Sequence, residues 1–473
     1  MRFSPLITDL YELTMLAGYL EEEMHETPAV FDLFYRQNPF RGGYAVFAGL
    51  DMALDYLENL AFSGKEIAYL QGLNLFRPRF LEFLRDFRFR GRITAPEEGT
   101  VVFGNEPLLT VEGSLAEAQF VETALLNIVN FQTLIATKAA RVTHAAGDAQ
   151  VIEFGLRRAQ GPDGGSSVAR AAFIGGVRST SNVMAGMLYG IPVKGTHAHS
   201  WIMAFPDELT AFRAYAQVFP DSSILLVDTY DTLKSGMVNA ITVAGELRAK
   251  GHELVGVRID SGDLAYLSRQ ARHMLDEAGF PEARIVASNE VDEHVIESIL
   301  SEGGEVDIYG VGTKLAVGMG DGGGALGGVY KLVRIGTEPK LKVTSDIAKA
   351  TLPDRKKLLR AMMDDGGCVM DIIALADEDI RQGQKVYNPL NPLQFTHIPS
   401  EVHLADLRTV VMENGRRTGS RQTLDQLADR CRQQLACLPQ GCLRFVNPHT
   451  YKVSISSGLQ DLRLRLMEEL QQA

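Results

Sequence analysis

The sequence is short of tryptophan and cysteine, with one Trp and four Cys in 473 residues. The cysteines, Cys368, Cys431, Cys437 and Cys442, all fall in the last quarter of the chain. None forms the C-x-x-C pair of a zinc ribbon, so reduced core thiols are expected. Long apolar runs are missing too, and none approaches the ~20 residues that a membrane span requires. The opening MRFSPLITDLYEL places Asp9 and Glu12 where a secretory signal would need an unbroken apolar stretch. A cytoplasmic protein with no membrane partner is the expectation. Positive charge is in deficit: 47 Lys and Arg against 59 Asp and Glu leave a net charge of −12. That balance speaks against nucleic acid or an anionic membrane surface as a partner. An acidic chain that handles phosphates has to do so locally, with backbone N–H groups, helix N-termini and a few placed arginines.

What is present reads as an ordinary globular composition, 45% apolar and 22% charged. The length exceeds one ordinary core, so two or three domains are expected. In the first ~130 residues, Asp9 to Glu12 predicts a helix N-cap with its capping-box glutamate. Phe120, Leu125, Ile128 and Leu134 recur at helical spacing and predict buried helices over 115–145, with strands between Ile93 and Val111. From about 149 the rhythm changes. VIEFGLRR, IPVKGTHAHS, SILLVDTYDT, LVGVRIDSGD, RIVASNEVD and DIYGVGTK are short apolar strands, each running into a polar cluster and then a helical stretch. Near-continuous apolar strands separated by helices predict a parallel sheet covered on both faces. Six units in series favour a barrel over an open sheet. After ~340 the pattern breaks into the basic KVTSDIAKATLPDRKK, the turn-rich NPLNPLQ and an amphipathic helix from Leu424 to Leu438. The expected organisation is an α+β segment over 1–135, an α/β barrel over 136–345, and a segment over 346–473 that folds back on the first.

In parallel α/β folds the strand C-termini carry the chemistry, and every polar cluster here sits at one. EFGLRRAQGPDGG delivers Glu153, Phe154, Arg157 and Arg158 to a strand end. A ring beside arginines suits a planar anionic ligand, although Phe154 could equally be core. In GTHAHS, His197 and His199 stand at i and i+2 on one strand face. Such an H-x-H holds the metal in barrel amidohydrolases, but that chemistry needs later histidines at strand ends. Here His252 precedes a strand, and His273 and His294 fall in predicted helices. Asp228, Asp231, Asp260 and Asp263 cluster at neighbouring strand ends. Some should be helix N-caps; together with Arg258, Ser261 and Gly262 they also suit Mg²⁺ and hydroxylated phosphates. Gly310, Gly312 and Thr313 would let backbone N–H groups approach a phosphate. Gly322, Gly324 and Gly327 spell G-x-G-x-x-G but precede a strand pattern, so a dinucleotide site is rejected.

In order and along nearly the whole chain, TDLYELTM, EFGLRRAQGPDGG, GTHAHS, the DT-x-DT pair, GVRIDSGDL, SNEVDE, GVGTKL and KVTSDIAKATLP resemble nicotinate phosphoribosyltransferases. The resemblance implies a type II phosphoribosyltransferase: an irregular TIM-like α/β barrel with a second α+β domain built from both chain ends. It implies a homodimer with active sites at the subunit interface. It also implies a reaction in NAD biosynthesis or salvage that joins nicotinate to 5-phosphoribosyl-1-pyrophosphate, with ATP and Mg²⁺. His199 is similar to the histidine that ATP phosphorylates, and His197 occupies a variable place. Phe154 resembles the residue that stacks on the pyridine ring, and Tyr11 the one covering its other face from the partner subunit. Thr196 and Arg258 resemble nicotinate contacts, Arg157 a substrate and phosphate contact, and Gly310, Gly312 and Thr313 the ribose-phosphate loop. Asp260 and Asp263 are the carboxylates expected at a pyrophosphate-bound Mg²⁺. Two departures stand out. Asp354 follows TLP where the family often has glycine. Asn182 stands where nicotinamide-using relatives carry an aspartate, and the absence of a negative charge favours an acid substrate. The alternatives are a nicotinamide phosphoribosyltransferase and a phosphate-binding barrel without this chemistry.

Overall fold

The computed structural model describes residues 4–342 and 351–472. Most of the KVTSDIAKATLP motif thus lies outside the described residues. The chain divides into two compact units, Met1–Leu134 with Ala325–Ala473, and Ile135–Gly324.

The first unit is built on two large sheets and a two-stranded one that pairs Ala45–Val46 with Val101–Val102. In one, the strand Pro28–Tyr35 pairs antiparallel with Leu109–Ser114 on one side and Gly328–Ile335 on the other. That second pairing takes up the residues after the glycine-rich tract, so the boundary drawn at 345 falls here at Gly324 instead. The other sheet has six strands between Lys356 and Ser456. Phe62, Phe87 and Phe120 pack edge-on or tilted, with centroids 5.2–6.2 Å apart, in the main core of this unit. The helix Leu10–Glu21 starts without the expected capping box, because both partners are otherwise engaged. Asp9 accepts a hydrogen bond from Thr123 Oγ1 at 3.0 Å. Glu12 is fully buried and accepts from Gln119 Nε2 at 2.9 Å.

The second unit has six parallel strands: β1 (Gln150–Glu153), β2 (Ser179–Thr180), β3 (Ile224–Leu226), β4 (Gly256–Ile259), β5 (Arg284–Ser288) and β6 (Ile308–Val311). Their order across the sheet is β2-β1-β6-β5-β4-β3. Among the described residues nothing pairs β2 with β3, so closure of the expected irregular TIM-like barrel is not found. The physical reason is the length of the edges. β2 has two residues and β3 three, and among the described residues a single bridge from Thr180 to Val193 extends the sheet beyond β2.

Helices cover the strands as the alternating units require. Within β4, Val257 and Ile259 are fully buried on one face, which turns Arg258 and the following Asp260 to the other. On that inner face Ile152, Val286 and Ile308 form a small floor against which Phe154 packs. A buried charge node braces the unit. Glu293 accepts from Arg141 Nε at 2.8 Å and pairs with Lys138 Nζ at 2.6 Å, with all three side chains at most 2% exposed. Removing one member of a buried ion set leaves uncompensated charge and costs about 3–5 kcal/mol. Glu293→Ala is therefore expected to lower unfolding free energy by that amount, measured by urea titration; a loss below about 1 kcal/mol would refute the node's role. No helix among the described residues is long and apolar enough to cross a membrane.

Candidate active site

The site forms where β1, β4, β5 and β6 end. Arg258 is its centre. Its guanidinium donates through Nε to Ser288 Oγ at 2.8 Å, through Nη1 to Thr196 Oγ1 at 3.0 Å, and through Nη2 to Asp260 Oδ1 at 2.7 Å. The cation lies 5.5 Å from the Phe154 ring centroid, within cation–π range. Three of five N–H donors are thereby used, and the plane of the fork is fixed while two remain. Ser288 also donates to Asp260 Oδ1, closing a triangle. Burial alone would raise the Asp260 pKa; the bond from Ser288 and the Arg258 charge outweigh it and hold the carboxyl below its usual range.

Phe154 reaches the site through the absence of a side chain opposite. A Cβ on Gly310 would come within 2.7 Å of the Phe154 ring, so the ring seats on the β6 backbone only because that residue is glycine. Gly312 and Thr313 follow, with Gly312 directly preceding the short helix Thr313–Ala316. Glu153 is buried and accepts from Gly155 N and Thr180 Oγ1, tying the end of β1 to β2.

His199, with its side chain 40% exposed, opens the helix His199–Met203. Its Nδ1 is 3.1 Å from Thr229 Oγ1, and its Nε2 is 3.7 Å from Asp260 Oδ2. Asp228 accepts from Asp260 N at 3.0 Å and Ser261 Oγ at 2.5 Å, while its Oδ1 is buried without a hydrogen-bond partner. Gly262 takes the left-handed φ of +79° that turns the DSGD loop.

The four aspartates divide into two kinds. Asp231 and Asp263 are helix caps, accepting from Lys234 N and Tyr266 N, each at 2.9 Å. Asp228 and Asp260 face the site. Asp263, expected beside Asp260 at a metal, is thus spent on its helix. Among the described residues there is no cluster of three or more His, Cys, Asp or Glu that could hold an ion by itself. Arg157 stands exposed on the turn Leu156–Arg158. Asn182 caps the helix Val183–Tyr189, accepting from Ala185 N at 3.1 Å, and its buried Nδ2 has no hydrogen-bond partner. Tyr11 belongs to the first unit, 45% exposed on the helix Leu10–Glu21. His273 and His294 lie on helices, and His252 pairs at the surface with Asp221. Ser288 and Thr229 were not singled out from the sequence, because one hydroxyl after an apolar strand makes no pattern.

Three family models match in succession: the nicotinate phosphoribosyltransferase N-terminal domain over 6–130, the nicotinate phosphoribosyltransferase family over 149–366, and its C-terminal domain over 355–463. A nicotinate phosphoribosyltransferase of Bacillus subtilis is 42% identical, covering 99% of this chain and 97% of that protein. The chain belongs to the nicotinate phosphoribosyltransferase family. A Caenorhabditis elegans nicotinate phosphoribosyltransferase is 37% identical over 96% of this chain and 92% of its own length. The crystal structure of human nicotinic acid phosphoribosyltransferase superposes with a TM-score of 0.86 at 31% identity, covering 97% of this chain and 99% of that one. Asp354, singled out above as a departure after TLP, adopts a left-handed φ of +64° and accepts from Arg334 Nη1 at 2.7 Å.

Proposed function

We propose that the chain joins nicotinate to 5-phosphoribosyl-1-pyrophosphate, giving nicotinate mononucleotide and pyrophosphate, with ATP hydrolysis coupled through His199. The observation that carries the reading is the fixed Arg258 fork beside the Phe154 ring, in a chain whose relatives match it end to end. A flat anionic ring needs one face to stack on and a cation at its edge, and those two residues supply both. The pyridine nitrogen attacks C1 of the ribose with its lone pair as the C1–O bond to pyrophosphate breaks. Nitrogen bears no proton, so no general base is required. Catalysis then consists of holding the ring in line and stabilising charge on the leaving group. Thr196 and Arg258 orient the nicotinate carboxylate, and neutral Asn182 avoids repelling it. Gly312 and Thr313 receive the ribose phosphate, with Arg157 near the phosphates, while Gly310 makes room for the Phe154 ring.

Mg²⁺ arrives with phosphate substrates and keeps few protein ligands, all oxygen. Asp260 and the unpartnered Oδ1 of Asp228 fit that demand better than Asp263 does. Held there, Mg²⁺ would supply positive charge against the departing pyrophosphate. At His199, Thr229 engages Nδ1, which leaves Nε2 to attack the γ-phosphorus of ATP; ADP departs, and water later releases phosphate. This coupling promotes transfer only by favouring the state that binds phosphoribosyl pyrophosphate productively.

The homodimer is supported by an apolar face. Val183, Met184, Met187 and Leu188 on the helix after Asn182 are 48–73% exposed, and such patches mark association surfaces. Tyr11 would cover the ring from the second subunit.

Product analysis with phosphoribosyl pyrophosphate and Mg²⁺, offering nicotinate or nicotinamide with and without ATP, tests the reading. Mononucleotide and pyrophosphate are expected from nicotinate, increased by ATP; no pyrophosphate release with either base would overturn it. Gly310→Ala should overpack the Phe154 ring at about 1–3 kcal/mol. The KM for nicotinate should rise by roughly an order of magnitude, and an unchanged KM would remove Phe154 from the ring-binding role.

A further inference from the structure

We infer that His197 is a positioning residue: its imidazole replaces a missing strand carbonyl at the open edge of the sheet and fixes the loop that carries His199. The open edge supplies the argument. Val227 N donates to Arg258 O at 3.0 Å, so alternate N–H groups of this strand face β4 and the Leu226 N–H faces away from it. A neighbouring strand would accept that N–H in a closed barrel, and none does here. His197 Nε2 accepts it instead, at 3.2 Å.

The ring is placed to do this and little else. It is 8% exposed, with Tyr215 edge-on at 4.7 Å and Phe212 at 6.1 Å between centroids. Burial, the largest influence, pushes its pKa down to about 4, and a neutral imidazole can accept at one nitrogen while the other carries the proton. The carbonyl of Ala198 lies on the Nδ1 side, at 3.5 Å.

The consequence reaches the site through the backbone on either side. Thr196, one residue before, accepts from Arg258. His199, two residues after, meets Thr229, which follows β3 by three residues. His197 therefore sets the register between the histidine-bearing loop and the strand end that carries Asp228 and Thr229. Arg258 keeps two other anchors, Ser288 and Asp260, so the loop's register matters most at His199. This inference rests on the assignment of His199 above.

The test compares three variants of the full chain. His197→Leu fills the space without an acceptor. His197→Gln places an amide oxygen close to where Nε2 stood, and His197→Asn falls short of it. For His197→Leu, hydrogen exchange in the peptide containing Leu226 is expected to speed up, and the ATP-stimulated component of transfer to fall at least roughly tenfold, as small misplacements at a reacting group do. The slower ATP-independent transfer should remain, and His197→Gln should restore both readouts. If His197→Leu does not fold, the same contrast is read between His197→Gln and His197→Asn. Unchanged exchange and unchanged ATP stimulation in the acceptor-free variants would overturn the inference, as would a glutamine variant no better than leucine or asparagine. The Leu226 readout does not involve ATP. Failure of wild type to take label from γ-labelled ATP would instead overturn the His199 assignment.

Discussion

Replacing Arg258 by alanine is expected to lower kcat/KM at least about a hundredfold, near 3 kcal/mol, the loss typical of one well-placed charge stabiliser. Two effects combine in that figure. The variant loses the cation beside the Phe154 ring, and with it the partner proposed for the nicotinate carboxylate. It also strips Asp260 of the charge that, after the bond from Ser288, helps hold its carboxyl below the usual range, and Ser288 and Thr196 lose the donor that orients them. Lysine should rescue little. Its ammonium is a point charge and cannot bond Ser288, Thr196 and Asp260 in one plane. Steady-state kinetics against both substrates measures the effect, and near-wild-type kcat/KM in Arg258→Ala would sink the assignment.

The second large effect is expected at His199. His199→Ala should abolish ATP hydrolysis and all stimulation of transfer by ATP, while a slow ATP-independent transfer persists. The Arg258 fork proposed to bind the ring does not include His199, so nicotinate should still bind. Incubation with γ-labelled ATP should label wild type and leave the variant unlabelled. Undiminished ATP hydrolysis in His199→Ala would refute the role. Thr229→Ala gives a graded version: the imidazole keeps its nitrogen but loses its 3.1 Å partner, so labelling should slow and not vanish.

The parts of the site written in a two-residue period could be read from the sequence. Arg258 and Asp260 alternate with buried Val257 and Ile259, so the apolar pattern of β4 by itself aims both side chains inward. Gly310 was recognised as a place for close approach, although the group that approaches it is the Phe154 ring. The aspartates were ambiguous for a physical reason. A carboxylate after a strand looks the same whether it caps the next helix, as Asp231 and Asp263 do, or faces a ligand, as Asp228 and Asp260 do. Closure of the barrel was beyond the sequence because it depends on whether two edge strands of two and three residues find each other. Counting repeats cannot decide that. His197 was expected only at a variable place, because its partner, a backbone N–H at a sheet edge, leaves no pattern in the sequence.

The exposed face of Val183, Met184, Met187 and Leu188 carries a consequence for how the enzyme behaves on dilution. If covering that face brings Tyr11 of a second copy to the ring, catalytic competence obeys mass action. Turnover per subunit should then decline as the enzyme is diluted through its association constant. Nicotinate and phosphoribosyl pyrophosphate, by binding the paired form, should move that decline to lower protein concentration. Met187→Glu, at the middle of the face, should move it the other way. Activity per subunit that stays constant through dissociation, followed by analytical ultracentrifugation, would mean that each subunit works alone.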